Sequence, residues 1–160
     1  MDEIERIADQ LARAYEGDPW WGPSTRDVVG GLTAAQAAHR PIEEAHSIWE
    51  IALHATSWNR EVLRRLQSDV AREPADGDWP EAPEPSEESW RATVDGLEAS
   101  YRELHAAIRA FPAERLEAIL GDARDRPLGS GVSFYVLMHG AVQHLVAHTA
   151  QMSLLRKAAR

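Results

Sequence analysis

Residues 86–111, SEESWRATVDGLEASYRELHAAIRAF, decide the fold class. Their apolar side chains fall at Trp90, Val94, Leu97, Tyr101, Leu104, Ile108 and Phe111, so the interval alternates between four and three residues throughout. That alternation keeps one stripe of a helix turned toward its neighbours, and it is the seam of a helix packed in a bundle. A half-buried strand would instead alternate every second residue. Ser86 supplies an N-cap whose side chain accepts from the first free amides, and Pro112 ends the helix because the residue before a proline is pushed out of helical geometry.

Three more helices follow from the flanking sequence. The first starts after Asp2, carries Ile4, Ile7, Leu11 and Ala14 inward, and stops at Gly17. Ser47 with Glu50 three residues on forms a capping box, which opens a helix running to about Asp69 with Ile51, Ala55, Trp58, Val62 and Leu66 as its core stripe. The last helix covers residues 133 to 158. Between them, residues 18 to 45 read as a long connector broken by Pro19, Gly22, Pro23, Gly30, Gly31 and Pro41, with one helical turn after Thr33. A segment of that length can cross a bundle, so the helices on either side need not form a simple hairpin. Residues 70 to 85 hold Pro74, Gly77, Pro80, Pro83 and Pro85 and predict a loop, and a further connector with Gly121, Pro127, Gly129 and Gly131 precedes the last helix. Trp49 and Leu53 are expected to pack under the first connector. Trp20 and Trp21 are expected to lid the core, with Trp21 a candidate wall of a substrate pocket.

Composition agrees. The 160 residues include 26 Ala and 14 Leu against 21 Val, Ile and Thr, a balance that favours helices. The expectation is an all-α four-helix bundle forming a single domain, residues 1 to 160. A net charge of −9 opposes a polyphosphate partner, so no nucleic acid is expected. With no cysteine there is no disulfide, thiolate nucleophile or Cys-based zinc site, and any metal must be held by His, Asp or Glu. The acidic start MDEIERIADQ and the lack of a long apolar run predict no signal peptide, no membrane span and a cytoplasmic protein. The acidic run 81 to 88 reads as a solvated loop and helix start.

Chemistry concentrates in HLVAH, where His144 and His148 stand four residues apart and share a helical face. Seven His in such a chain produce about 0.3 such pairs by chance, so the spacing carries little weight alone. His54 adds to it, because on its own helix it falls at the edge of the core stripe beside Trp58 and looks into the bundle. Three imidazoles with an open fourth position have the layout of a catalytic metal site. The other reading is three core histidines, each with its own hydrogen-bond partners. Projected around His144, the residues Leu137, Ala141, His148, Gln151 and Leu155 form the inner face, while Tyr135, Val142 and Val146 form a second apolar face suited to a homodimer contact. Gln151 is placed to orient a ligand. Glu50 lies one turn before His54, where it is a candidate to reach the mouth of the site, although it also serves the capping box. Position 145 is Leu, so the HExxH metalloprotease signature is absent. His39, His46, His105 and His139 are expected at the surface.

The stretches PWWGPSTRDVVGGLTAAQAAHRPIEEAHSIWEIALHATSWNREVLRRL (19–66) and GAVQHLVAHTAQMSLLRKA (140–158) resemble the DinB-like and YfiT-like superfamily. The resemblance implies an up-down-down-up four-helix bundle, often dimeric, that binds one divalent metal, zinc or nickel foremost. It implies His54, His144 and His148 as ligands. The chain departs from the family at Ala147, where a Tyr is usual, and at Trp21, where a His often stands. Characterised relatives include enzymes that use low-molecular-weight thiols. The resemblance therefore implies a metal-dependent enzyme that brings a thiol, or water, to a small electrophilic substrate. A metal- or ligand-binding stress-response bundle without turnover is the alternative.

Overall fold

A computed structural model describes residues 1–158. Four long helices make the bundle: α1 (Glu3–Glu16), α4 (Ile48–Ser68), α5 (Glu87–Arg109) and α6 (Phe134–Ala158). Between the first two lie α2 (Thr25–Val29) and α3 (Ala34–Ala38), and a hairpin of β1 (Ile119–Asp125) and β2 (Ser130–Ser133) leads into α6. Asp2, Ser47 and Ser86 each close a capping box at the start of its helix, which satisfies amides that the helix cannot.

Each long helix packs against two others, α1 and α4 both contacting α5 and α6. Pairings along the helices give their directions. Glu3 lies beside His139 at one end, and the α2 carbonyls accept from Arg156 at the other, so α1 and α6 run the same way. Trp49 donates to Thr93 near the start of both helices and Asn59 to Ser100 further along, so α4 and α5 are parallel. His54 meets His144 while Arg65 reaches Leu128 just before α6, so α4 opposes α6. The order is up-down-down-up. A parallel α4 and α5 require the chain to return along the bundle's length, and residues 69–86 make that return.

The seam of α5 is buried at Trp90, Leu97, Tyr101, Leu104, Ile108 and Phe111, with Val94 half-buried. Burial of each such side chain stabilises by about 1.5–3 kcal/mol. The two buried indoles are satisfied: Trp49 donates to Thr93 Oγ1 (2.9 Å) and Trp90 to Leu32 O (3.0 Å). Glu61 and Arg65 are paired at 2.6 Å and both side chains are only 1% exposed. Arg65 also donates to the carbonyls of Arg72 and Leu128, so one buried guanidinium ties α4 to the return segment and to the hairpin.

Several expectations change. The first connector contains two short helices, the earlier one opened by a Ser24–Asp27 capping box and held to α6 by the Thr25–Thr149 hydroxyl pair at 2.6 Å. The second connector is a hairpin. Its register slips between Leu120 and Asp125, and Gly131, at φ +70°, sits so close to Arg124 that a Cβ there would come within 2.4 Å of its Cα. Trp49 packs on Trp90 of α5, whose indole in turn donates to Leu32 O of the first connector. Trp20 and Trp21 do not lid the core, being 98% and 73% exposed, because the turn at Gly22 carries them outward. On α6 the buried arc runs through Met138, Ala141, Leu145, Thr149 and Met152. The helix packs on both α1 and α4, so that arc is displaced from His144; His144 and His148 stand half-buried at its α4 edge and Gln151 is exposed. Tyr135 and Val146 are exposed, whereas Val142 packs on the core.

Gly96 lies inside α5 with nothing within 4 Å of an added Cβ. Gly96→Ala is expected to raise unfolding free energy by about 0.5–1 kcal/mol in urea titrations, since alanine has the higher helix propensity.

Candidate metal centre

Antiparallel α4 and α6 bring His54 level with the pair His144 and His148. The Nε2 atom of His144 lies 2.9 Å from that of His54 and 3.1 Å from that of His148, and one nitrogen of each ring lies within 4.8 Å of the others. No fourth His, Asp or Glu joins this group among the described residues.

The far sides of two rings fix their tautomers. A carbonyl can only accept, so the 2.6 Å contact between His54 Nδ1 and Asp78 O puts a proton on Nδ1 and leaves Nε2 with its lone pair inward. His148 Nδ1 contacts Gln151 Oε1 at 2.7 Å and is fixed in the same sense. A single proton on His144 Nε2 can point well at one neighbour only, which leaves another pair of lone pairs opposed at close range. A cation among the three nitrogens removes that conflict. Nitrogens bound to zinc at about 2.0–2.1 Å stand roughly 3.3–3.4 Å apart in a tetrahedron, close to the spacings found.

A strap from the return segment completes the surroundings. Arg60 pairs with Asp76 at 2.8 Å, Ser57 donates to Gly77 O at 2.6 Å, and Trp58 Nε1 donates to Asp78 Oδ1 at 2.7 Å. With His54 on Asp78 O, these bonds run along one face of α4 and hold residues 76–79 against it. Trp79 then stacks on His54 (3.9 Å between ring centres) and on His46 (3.6 Å). Asp78 and Trp79 were missed in the sequence because residues 70 to 85 read only as a loop; the one signal was an aromatic within an acidic, proline-rich segment.

A family model described as the DinB superfamily matches residues 23–152, well over half of the chain. The chain belongs to the DinB superfamily. Comparison with curated proteins gave no match, and comparison with solved structures gave none. In this DinB protein the remaining candidates are distributed as follows. Trp58 flanks the cluster, its ring centre 6.1 Å from that of His144. Glu50 is turned away, occupied by Ser47 and Arg40. Trp21 stands apart, in a depression with Pro19, Val146 and Ala150. Of the four histidines expected at the surface, His39 and His46 are exposed, while His105 and His139 are half-buried.

Two cavities of about 270 Å³ flank the DinB histidines. One, between α4, α6 and the hairpin, reaches His144, and the other, between His46, Trp79 and Leu154, reaches His148. Burial holds all three imidazoles neutral. His144 is pushed lowest, to about 3, first by loss of water and then by its two neighbours. His54 is lowered by burial, partly offset by Asp78, and His148 by burial, partly offset by Gln151. Neutral imidazole is the form that binds metals.

Between a pKa of about 3 when folded and 6.5 when unfolded, the unfolded chain binds a proton at position 144 that the folded chain does not. Stability of metal-free protein is therefore lost as pH falls through that window. Acidification from neutral pH to about pH 5 removes on the order of 2 kcal/mol through this group. Urea titrations of wild type and His144→Gln at both pH values are expected to show the larger loss in wild type. Equal losses would refute the assignment.

Proposed function

We propose that this DinB-superfamily protein holds one divalent ion at His54, His144 and His148 and acts as a metal-dependent enzyme on a small electrophilic molecule, with a low-molecular-weight thiol or water as the other reactant. The observation that carries this reading is the convergence of three Nε2 atoms with two outer nitrogens already engaged. A divalent ion of the zinc or nickel kind supplies Lewis acidity, which lowers the pKa of a neighbouring thiol or water.

The chain's own groups do the rest. Asp78 O and Gln151 orient the two outer rings and increase their basicity toward a cation. Trp79 covers one face of His54 and excludes water from it. Three ligands, with no fourth among the described residues, leave a position for exchange, as catalytic sites require. The thiol must be a cosubstrate, since the chain has no cysteine.

One observation favours the alternative, a binding protein without turnover. The nearby carboxylates of Glu50 and Asp78 are engaged, by Ser47 and Arg40 and by Trp58, so neither stands free to move a proton.

Elemental analysis of protein purified without chelator is expected to find close to one divalent ion per chain, and His148→Ala is expected to lose it. Gln151→Leu should retain the site with affinity about 10–100-fold weaker in competition with a chromogenic chelator. Metal content that survives His148→Ala would exclude the assignment. Saturating metal with no turnover across thiol and hydrolytic screens would favour the binding reading.

A further inference from the structure

The cavity that reaches His144 has a second chemical end. Its floor is α4 from Trp58 to Arg65 and α6 from Leu137 to His144, eight residues on each helix and so about 10 Å from first to last. Val62, Val132 and Leu137 make its walls apolar. At the end away from His144 stand two guanidinium groups, Arg65 and Arg124.

These two cations differ. Arg65 is buried and neutralised by Glu61, with Nε on that carboxylate and Nη2 on two carbonyls. Its Nη1 has only a long 3.5 Å contact, to Gly129 O. Arg124 is exposed and spends Nη1 on the carbonyls of Asp125 and Ser130, so its hydrogen bonds among the described residues leave Nη2 to solvent. The hairpin fixes its place, because Gly131 has no side chain to keep the Arg124 backbone at a distance.

We propose that this cavity binds a small organic acid lengthwise, its carboxylate on Arg124 beside Arg65 Nη1 and its other end at the histidine cluster. The inference deepens the proposed function by naming the substrate class, a carboxylate-bearing small molecule with an apolar middle, and it rests on that reading for the end at His144. The volume of about 270 Å³ suits a compact ligand, since sites for drug-sized molecules run to roughly 300–1,000 Å³. An acid without this anchor would meet the acidic surface elsewhere and be repelled.

The test uses zinc-loaded protein and calorimetric titration with 6-mercaptohexanoate and with 6-mercapto-1-hexanol, which differ only in the charged end. Wild type is expected to bind the acid at least about tenfold more tightly, the strength of one charge-assisted hydrogen bond. Arg124→Gln is expected to abolish that preference with zinc content unchanged. Gly140→Leu, which grows into the cavity from a position with nothing within 4 Å, is expected to weaken both ligands tenfold or more while the fold persists. Equal affinities in wild type, or a preference that survives Arg124→Gln, overturns the proposal. If elemental analysis finds no metal, the proposed function fails separately. Hexanoate against 1-hexanol on the metal-free protein then tests the anionic end alone: a preference lost in Arg124→Gln upholds the acid pocket, and no preference overturns it.

Discussion

Three imidazole nitrogens, two of them about 3 Å from the third, form an arrangement that neutral rings cannot satisfy among themselves, and the chain is organised to keep them there. The rings of His54 and His148 show their Nε2 lone pairs inward because each has an acceptor on its Nδ1 side. For His148 that acceptor is Gln151, on the same helix one turn away, so α6 orients it locally. For His54 it is the carbonyl of Asp78, which must be delivered from another segment. The up-down-down-up order follows the same need. A parallel α4 and α5 oblige the chain to run back along the bundle, and the returning segment passes His54 with Asp78 and Trp79.

The placement of this strap explains why its residues are polar where they meet α4 and proline-rich elsewhere. Arg60, Ser57, Trp58 and His54 each engage one residue or backbone group between positions 76 and 78. Pro74 and Pro80 bound that short stretch and limit the conformations it loses on docking. Arg65 holds the beginning of the same segment through Arg72 O and the hairpin through Leu128 O, so both non-helical segments near the histidines depend on one buried ion pair in α4. Removing one member of such a pair costs about 3–5 kcal/mol because the other is left buried and unpaired.

Local information made the helices legible. The caps at Asp2, Ser47 and Ser86 and the seam of α5 depend on residues within four positions of each other, and the structure keeps them. His54, His144 and His148 were legible as inward-facing residues for the same reason, since helical projection is a local calculation. What failed was not local. The α6 projection centred the buried face on the histidines, but the helix has two neighbours, and the arc each buries is set by the other three helices. Trp20 and Trp21 looked like a lid because paired aromatics bury well, yet the turn at Gly22 decides where they point. The hairpin was hidden because its slipped register and three positive-φ glycines replace the regular alternation that marks a strand. Asp78 and Trp79 lay in a segment with no periodicity, and their position is a consequence of docking.

Stability and the histidine cluster are largely separable in this fold. The core formed by Ile7, Leu11, Trp49, Leu97, Leu104, Ile108 and Leu145 lies along seams that do not include the three histidines. Small metal modules fold only around their ion because no such core exists. Here the histidines occupy the edge of the α4–α6 contact, beside two cavities, where burial first and their mutual proximity second maintain their neutral forms at a cost in acid stability. An arrangement that costs stability at low pH, is oriented by two dedicated acceptors, and lies between cavities open to small molecules is poorly explained as core packing. It is well explained by binding at the Nε2 atoms.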